Sequence, residues 1–379
     1  MLGLINKGSM RHLRTLRGFR PLAFVPDGIL LASGYDLYVA NPDCSRMSRV
    51  AAVPHSANSR ILRGSRTIER ILRLGIRFGC RIDENSYLLA ERNRLWLLDL
   101  PSGVVRLDHV IENGMKPLWI SRIEGIDGFG DGACFGEYWY NAPKEPVNIW
   151  MRSRQGAWRI AHTFPRNTIE HVHGIVPDER RGIVWILTGD SGDLVGIWAA
   201  RRDFSEVLPV LVGKQEFRCC WLAFSDDEII YATDSPLEIN SVRRVILPPG
   251  YAQSRDPWAG ARSEPFAEIS GSSIYSCRVR DQVVFSTTVE PGLLTGKRLR
   301  DWLERRPGPG IKGMYSDLMI GTRAGFSLAG RWSKDRWPFR LCEFGSISFP
   351  TGNNPGHYLY AYFTGLVQDD GSMSVFDLH

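Results

Sequence analysis

The stretch from residue 170 to residue 213 decides the fold. It reads EHVHGIVPDE (170–179), GIVWILTGD (182–190), VGIWAARRD (195–203) and VLPVLVG (207–213), four apolar runs with short polar turns between them. Runs of this length that do not continue with helical periodicity predict β-strands joined by hairpins. Similar groups of runs recur along the whole chain, at residues 20–53, 76–111, 117–164, 217–271, 273–345 and 345–378.

Four short antiparallel strands per about 50 residues are typical of a β-propeller blade. The last group has only three strands, GSISFP, HYLYAYFTG and MSVFDL, while RHLRTL (11–16) precedes the first group. An N-terminal strand that completes the last blade would pair edges that are otherwise exposed. We therefore predict an all-β chain, a single propeller domain over 1–379 with seven four-stranded blades, closed by its N-terminal strand. Six blades, or a β-sandwich, are the alternatives.

A long insertion interrupts the sixth group between its second and third predicted strands. The fourth strand of that group is predicted at FRLCEFG (339–345). The insertion, EPGLLTGKRLRDWLERRPGPGIKGMY (290–315), holds the one predicted helix, at about 291–310, with Leu299, Trp302 and Leu303 on one face. Because it leaves the loop after Glu290, segment 291–315 is predicted to be a basic lid beside the binding site. A docked ornament or an oligomer contact is the alternative.

Composition and charge exclude several classes of protein. Apolar residues make up 43% of the chain and charged residues 23%, which excludes a disordered or collagen-like chain. The 47 Lys and Arg against 41 Asp and Glu give a net charge of +6, which favours an anionic partner or a solvated basic face. No basic run with interleaved aromatic residues predicts nucleic-acid binding. No apolar run approaches the roughly 20 residues of a membrane span.

The seven cysteines include no C-x-x-C pair, so neither a zinc motif nor a redox motif is indicated. Most of them lie in apolar runs such as FRCCWLAF (217–224), which predicts buried, reduced thiols and hence a reducing compartment. The N-terminal segment MLGLINKGSMRHLRTLRGFR has no continuous apolar stretch of a signal peptide. A cytoplasmic location is therefore expected.

Three short patterns resemble the Asp box, Ser-x-Asp-x-Gly-x-x-Trp, of the sialidase-like or BNR-repeat β-propellers. The residues that carry the resemblance are Ser333, Asp335 and Trp337, then Ser153, Gly156 and Trp158, and then Ser191, Asp193, Gly196 and Trp198. The resemblance implies a propeller from a group that includes glycoside hydrolases and polysaccharide lyases. The arginine triad and the Tyr–Glu pair of sialidases do not map onto this chain, so sialidase activity itself is not implied.

A carboxylate ends the second strand in six of the groups. These residues are Asp36, Glu91, Glu137, Asp190, Asp234 and Glu290. The loops after this strand share one rim of a propeller, and loops on a rigid scaffold carry function. The pattern predicts either repeated caps, each accepting backbone N–H bonds in its own loop, or a ring of acids around a cleft. Crowded acids raise one another's pKa, which keeps one of a pair protonated at neutral pH.

The strongest cluster of candidate site residues is predicted between the third and fifth groups. Its members are Glu137, Tyr138, Trp139, Tyr140, His171, His173, Asp190, Asp193, Arg218 and Asp234. His171 and His173 share one face of their strand by its period of two. Together with carboxylates they could bind zinc or manganese, or they could simply hydrogen-bond to rim loops. No cofactor is required by the pattern.

The other members of the cluster suggest substrate contacts. Tyr138, Trp139 and Tyr140 could stack on sugar rings or pack between blades. Arg218 could hold a substrate carboxylate, or it could pair with a neighbouring acid. Asp193 and Glu290 are further candidates for substrate binding.

Three functional hypotheses follow. In the first, the chain is a glycoside hydrolase acting on an acidic oligo- or polysaccharide, with two of Glu137, Asp190 and Asp234 as acid and as nucleophile or base. In the second, it is a polysaccharide lyase, with acid–base roles for Tyr140, His171 or His173 and with Arg218 neutralising a uronate. In the third, it is a non-catalytic propeller that binds a glycan or a protein, because fold alone does not imply chemistry.

Overall fold

A computed structural model describes residues 4–5, 10–56, 64–114, 116–190, 192–225, 228–248, 258–292 and 299–378. The chain is an all-β, seven-bladed β-propeller in which every blade contains four antiparallel strands. The predicted fold class and the count of seven blades are therefore confirmed. The chain divides into two compact units, residues 1–110 with 270–379 (unit 1) and residues 111–269 (unit 2).

Unit 1 contains four blades, numbered here in chain order. Blade 1 comprises Arg20–Val25, Gly28–Ser33, Asp36–Ala40 and Met47–Ala52, and blade 2 comprises Phe78–Arg81, Ser86–Glu91, Arg94–Asp99 and Val104–Val110. Blade 6 comprises Ser272–Val279, Gln282–Thr288, Tyr315–Thr322 and Gly325–Ser333, with Leu4–Ile5 added at its edge. Blade 7 comprises Ser346–Ser348, Tyr358–Thr364, Ser372–Asp377 and the N-terminal strand Arg11–Arg17.

The N-terminal strand closes blade 7, as the three-stranded final group predicts. Arg11–Arg17 runs antiparallel to Ser372–Asp377, and the Arg11 guanidinium lies 2.8 Å from a carboxylate oxygen of Asp377. Residues far apart in sequence thus share one hydrogen-bonded sheet. The strand covers an edge of blade 7 that would otherwise present unpaired backbone groups.

The fourth strand predicted at residues 339–345 is wrong. Blade 6 takes Gly325–Ser333 as its fourth strand, while Phe339–Cys342 forms a short helix that begins after Pro338. Proline suits a helix start, because its missing N–H is one of the groups that has no partner there. A second helix, Arg66–Leu72, was not predicted, although Ser65 caps it by accepting a hydrogen bond from the Ile68 backbone N–H.

The insertion after Glu290 is helical over Leu299–Trp302. Residues 293–298, which include two of the basic residues of the predicted lid, lie outside the described residues. The described part docks on the helix Phe339–Cys342: the Phe339 N–H donates to the Glu304 carbonyl (3.1 Å), and the Arg340 guanidinium lies over the Trp302 ring. These contacts fit the docked alternative for this part of the segment.

Unit 2 contains three blades. Blade 3 comprises Ser121–Ile123, Gly132–Gly136, Val147–Ser153 and Trp158–Phe164; blade 4 comprises His171–Asp178, Ile183–Gly189, Gly196–Arg201 and Glu206–Val212; blade 5 comprises Ala223–Phe224, Ile229–Ala232, Ser241–Ile246 and Arg262–Glu268. Two single turns of 3₁₀ helix, Glu179–Arg181 and Gln215–Phe217, lie between these strands.

Burial falls from the second to the fourth strand of blade 4. Every residue of Ile183–Gly189 is buried, whereas Glu206–Val212 is mostly half-exposed. Strands buried on both faces read as continuous apolar runs, and IVWILTG is such a run. Trp185 and Tyr231 are fully buried in one core cluster of unit 2. Full burial of each such side chain contributes about 1.5–3 kcal/mol to folding.

All seven cysteines lie among the described residues and remain thiols, as predicted. Six of them are buried, and Cys277 is half-buried. Within the ranges that the structure describes, no helix has both the length and the apolar character needed to cross a bilayer.

Candidate functional site

The candidate site in unit 2 is built on the first two strands of blade 4. A β-bulge interrupts their register: Val172 pairs with Thr188 and Gly174 pairs with Leu187, so His173 is the extra residue. A bulge re-aims the side chain of its extra residue, and bulges are common beside functional sites. The ring centroids of His171 and His173 lie 5.0 Å apart, which confirms that the two imidazoles share one face.

Gly189 makes room for one of these imidazoles. A Cβ atom on Gly189 would lie 2.2 Å from Cε1 of His173, far inside van der Waals contact. The position therefore requires a residue with no side chain. Asp190 follows Gly189 directly, so its carboxylate lies beside the His173 ring against which Gly189 packs.

Three side-chain groups converge at this point. Nε2 of His173 lies 3.1 Å from Nε2 of His171 and 2.9 Å from Oδ1 of Asp190, and Nε2 of His171 lies 3.4 Å from Oδ2 of Asp190. Nδ1 of His171 donates to the Trp139 carbonyl oxygen at 2.8 Å. Because a carbonyl only accepts, Nδ1 carries the proton and Nε2 of His171 faces the other two groups.

Arg218 joins two of the predicted carboxylates. Its Nη2 atom lies 2.7 Å from Oδ1 of Asp190 and 3.2 Å from Oδ2 of Asp234, and its Nη1 atom donates to the Asp190 carbonyl oxygen. Arg218 and Asp234 are buried, whereas the Asp190 side chain is 35% exposed. Of the two roles considered for Arg218, the ion pair is the one that the contacts display.

Cys220 completes the buried side of the cluster. Its thiol donates to Oδ2 of Asp234 at 3.5 Å and lies 3.5 Å from Nδ1 of His173. Burial, with a smaller contribution from Asp234, raises the pKa of this thiol well above its ordinary value. Oδ1 of Asp234 is buried and has no hydrogen-bond partner in the described part of the chain.

The pKa of Asp190 is lowered, whereas the pKa values of His171 and Tyr138 are raised. Burial alone would raise the pKa of Asp190, but Arg218 and His171 outweigh it and hold the pKa well below its ordinary value. Burial alone would lower the pKa of His171, yet Asp190 raises it above its ordinary value. Burial and then Asp190 raise the pKa of the Tyr138 phenol well above its usual range. Asp190 is therefore an anion throughout the physiological range.

Glu137 belongs to its own loop rather than to this cluster. Its carboxylate accepts hydrogen bonds from the Asn148 backbone N–H (2.9 Å), from Nδ2 of Asn113 (3.1 Å) and from Nε1 of Trp150 (3.3 Å). The side chain is buried. This arrangement is the loop cap that we considered as one of the two roles of the rim carboxylates.

The remaining predicted residues are distributed around the cluster. The Tyr138 ring packs against His171 with centroids 4.4 Å apart, whereas Tyr140 is 61% exposed. Trp139 contributes its carbonyl oxygen, and Asp193 lies exposed on the loop after Asp190. Gln215 contacts that loop, and its Nε2 donates to the carbonyl oxygens of Asp190 and Gly192. Glu290 lies in unit 1, and Ser191 lies outside the described residues.

Unit 1 holds a second candidate, which the sequence did not predict. A groove of about 610 Å³ lies between the helix Arg66–Leu72 and the segment that follows blade 6. We call it the unit 1 groove. Its lining comprises Arg66, Thr67, Arg70, Met314, Lys334, Asp335, Arg336, Trp337, Leu366, Val367 and Asp370. Four of these side chains are cationic and two are acidic, so the lining has a cationic excess.

The floor of the unit 1 groove is an ion-pair network. Nη1 of the buried Arg70 lies 2.6 Å from Asp335 and 3.6 Å from Asp370, and Arg66 holds Asp370 through two bonds of 3.0 Å. The Lys334 ammonium, fully buried, bonds to Asp335. The rim is different: Trp337 is 43% exposed and Val367 is 63% exposed.

Comparisons with known proteins support the fold but do not indicate a function. No protein-family model matches the sequence, and no curated protein matches it. The chain is similar in structure to a CNH domain described as AfRom2 (TM-score 0.52, 7% identity), with 100% of this chain and 98% of that one covered. It is also similar to the WD40 β-propeller domain of Doa1 (TM-score 0.54, 11% identity, 98% of each chain covered).

A chain of the Mitotic Checkpoint Complex is a third similar structure (TM-score 0.56, 9% identity), with 97% of this chain and 95% of that one covered. At these identities the likeness shows a seven-bladed propeller and nothing finer. The resemblance to the BNR-repeat or sialidase-like propellers finds no support in sequence. Ser153 does lie at a hairpin turn, where its Oγ accepts the Ala157 N–H, but a turn of this kind is common to many propellers.

Proposed function

We propose that this chain is a non-catalytic binding propeller whose unit 1 groove receives an acidic segment of a partner protein. The observation that carries the proposal is the make-up of that groove: a cationic lining whose floor is internally paired, beneath a rim of exposed apolar side chains. Exposed apolar side chains beside cationic ones offer the contacts that an acidic, partly apolar peptide can use.

The rim of the unit 1 groove offers the contacts that a peptide needs. Trp337, Val367 and Met314 are exposed apolar residues, and Trp is among the residues most enriched at binding hot spots. Arg336 is exposed beside Trp337, and the described residues contain no ion-pair partner for it. Arg336 can therefore pair with a partner carboxylate at little desolvation cost.

The net charges of the two units agree with a cationic groove in unit 1. Unit 1 has 30 Lys and Arg against 19 Asp and Glu, a net +11, whereas unit 2 has 17 against 22, a net −5. The basic excess of the protein thus belongs to the unit that contains the groove. A field of this sign steers an acidic partner toward unit 1 and makes its association rate depend on salt.

The hydrolase hypothesis is less well supported by the geometry. A glycoside hydrolase needs one carboxyl group that stays protonated near neutral pH and a second that is ionised. Glu137 is engaged as a loop cap, and Asp190 and Asp234 are both paired with Arg218. The lowered pKa of Asp190 is the opposite of what a general acid requires. One similar structure is a chain of the Mitotic Checkpoint Complex, and this likeness also favours binding.

Selection of a random peptide library displayed on phage tests the proposal directly. We expect the purified full chain to enrich peptides that combine an apolar residue with two or more carboxylates. A synthetic peptide of the consensus sequence, measured by fluorescence anisotropy, should bind at least about tenfold more weakly to Trp337→Ala and to Arg336→Glu. Arg46→Glu is the matched control, because it reverses an exposed charge of unit 1 that does not line the groove.

Four outcomes would contradict the proposal. Enriched peptides without acidic residues, or peptides whose affinity is the same for Arg336→Glu and Arg46→Glu, would place the binding elsewhere. Tight binding of acidic glycans, but not of peptides, that depends on Trp337 would replace the protein partner with a carbohydrate. Turnover of any acidic polysaccharide that Asp190→Asn abolishes would restore the enzymatic hypothesis.

A further inference from the structure

We propose that unit 2 contains a site for one divalent transition-metal ion of the zinc class, held by Nε2 of His171, Nε2 of His173 and the carboxylate of Asp190. Two buried imidazoles on one strand, one of them at its bulge, meet the partly exposed carboxylate that follows the next strand. The site is distinct from the unit 1 groove, so the proposed peptide binding can fail without affecting it.

The distances between the three ligand groups fit a metal ion. The two Nε2 atoms are 3.1 Å apart, Nε2 of His173 lies 2.9 Å from Oδ1 of Asp190, and Nε2 of His171 lies 3.4 Å from Oδ2 of Asp190. Ligand atoms that each lie about 2.0–2.2 Å from a shared zinc ion are about 2.9–3.5 Å from one another, for octahedral to tetrahedral angles. Two imidazole nitrogens and a carboxylate are also a common ligand set for zinc and for other first-row ions.

The groups behind the ligands are those that orient metal-binding histidines. Nδ1 of His171 donates to the Trp139 carbonyl, which leaves the Nε2 lone pair directed at the other two ligands. Nδ1 of His173 lies 3.6 Å from Oδ2 of Asp234, which is longer than a hydrogen bond but puts a carboxylate on the Nδ1 side of the ring, away from the Nε2 ligand atom. Arg218 holds the Asp190 carboxylate through Oδ1, the oxygen that also faces His173, while Oδ2 faces His171.

Charge balance favours a cation here. Asp190 and Asp234 bring two negative charges, and Arg218 brings one positive charge between them. With neutral imidazoles the cluster is left with a net charge of −1, and one oxygen of Asp234 is buried without a hydrogen-bond partner among the described residues. Buried charges are stable when they are paired or coordinate a metal.

The second possible ligand set is less suitable. His173, Cys220 and Asp234 also converge, but Cys220 is a thiol that donates to Asp234, and metal binding requires the thiolate. All three residues are buried. The first set includes Asp190, whose exposed fraction gives an ion a route of entry and leaves a coordination position for water or a ligand.

Metal titration of the full chain tests the inference. After removal of metals with a chelator, isothermal titration with Zn²⁺ should give one site per chain, and binding should raise the melting temperature. His171→Gln and Asp190→Asn should each weaken Zn²⁺ binding at least about 100-fold, and Asp234→Asn about 10–100-fold. His12→Gln is the control for chance binding, because His12 is an exposed histidine in unit 1; it should leave the affinity unchanged.

Cobalt gives a test that does not depend on the folding of any variant. Co²⁺ added to the metal-free wild type should produce visible ligand-field bands that saturate at one equivalent and disappear when excess Zn²⁺ is added. The absence of these bands, or Zn²⁺ affinity in the wild type that equals that of folded His171→Gln, would overturn the proposal. A Zn²⁺ site lost in His12→Gln would show that the ion binds by chance at the surface.

Discussion

Each unit contains a buried arginine that holds two aspartates, and the two arrangements differ in what surrounds them. In unit 1, Arg70 lies between Asp335 and Asp370; in unit 2, Arg218 lies between Asp190 and Asp234. The local geometry is similar, since the shorter contact is 2.6 Å in one and 2.7 Å in the other. The same ion-pair motif therefore occurs in both units.

The surplus charge is what separates them. Lys334 and Arg66 add two cations to the motif in unit 1, and Glu69 adds one anion by pairing with Arg66, whereas two histidines surround the motif in unit 2. With Arg336 on its rim, the groove around the first motif is left with a positive surplus, and the second motif is left with a negative one. The comparison teaches that the neighbours of a buried ion pair, rather than the pair itself, determine whether the region attracts an anion or a cation.

Removal of the central arginine should have the largest effect. Arg218→Met leaves Asp190 and the buried Asp234 without their cation, and it should lower the free energy of unfolding by about 3–5 kcal/mol in chemical denaturation. Arg70→Met should cost less, because Arg66 still pairs with Asp370 and Lys334 still pairs with Asp335. Zn²⁺ should restore part of the loss in Arg218→Met and none in Arg70→Met, because only the former has imidazole ligands beside the carboxylates. Equal rescue of both variants would contradict the comparison.

Alanine at two glycines should have a smaller effect. A Cβ at Gly189 would collide with the His173 ring, and a Cβ at Gly365 would lie 2.5 Å from the Phe344 carbonyl oxygen and 3.1 Å from Nη2 of Arg70. Overpacking of this kind costs about 1–3 kcal/mol, which thermal or urea unfolding would measure. Gly130→Ala is the control for Gly189→Ala, and Gly18→Ala is the control for Gly365→Ala, because Gly18 shares its positive φ (77° against 67°); a Cβ at either control position meets open space. Losses as large in the controls would show that crowding is not the cause.

The stability of unit 1 should depend on acid through its carboxylates. Burial alone would raise the pKa of Asp370, but Arg66 and Arg70 outweigh it and lower the pKa below its ordinary value. The pairing therefore stabilises the fold above that ordinary value, and the stabilisation is lost as the pH falls toward the lowered pKa.

Urea midpoints measured across this acidic range would test the pH dependence. Asp370→Asn should flatten the pH dependence of stability by at most about 1.4 kcal/mol per pH unit. The control is Asp27→Asn, which removes an exposed carboxylate that does not line the groove. A pH profile of Asp370→Asn identical to that of the wild type would show that Asp370 is not coupled to the arginines.

Changes at the rim of the groove should have the smallest effect on stability. Trp337 and Arg336 are exposed, so Trp337→Ala and Arg336→Glu should change the free energy of unfolding by no more than about 0.5 kcal/mol. Their expected loss of peptide affinity would then report on binding rather than on folding. Destabilisation beyond about 1 kcal/mol in circular-dichroism melts would assign these residues to the core instead.

The repetitive part of the fold could be predicted from the sequence. Apolar runs such as GIVWILTGD predict buried strands, and the incomplete last group predicts closure by residues 11–16. The failed strand at 339–345 shows the limit of this reasoning, because FRLC is apolar enough for a strand or a helical turn. Pro338 and the competing run GFSLAGRWS decide the outcome through pairing with Tyr315–Thr322.

The candidate site could be predicted only in part. The His-x-His pattern places two imidazoles on one face, and the structure brings Asp190 and Arg218 to them. The bulge at His173 depends on register, which no local pattern specifies. The unit 1 groove was not predicted, because Arg70 meets Asp335 across 265 residues of chain. Glu137 was misplaced in the cluster because its partners, Asn148 and Trp150, come from the next strand.

Crystals of the metal-free protein soaked in Zn²⁺ and measured at the zinc absorption edge would test the difference between the two units most directly. We predict one strong anomalous peak per chain in unit 2, about 2.0–2.2 Å from Nε2 of His171, Nε2 of His173 and an oxygen of Asp190, and none within the unit 1 groove. A peak at Asp335 or Asp370, or no peak beside the two histidines, would contradict the assignment of opposite charge surpluses to the two arginine-centred motifs.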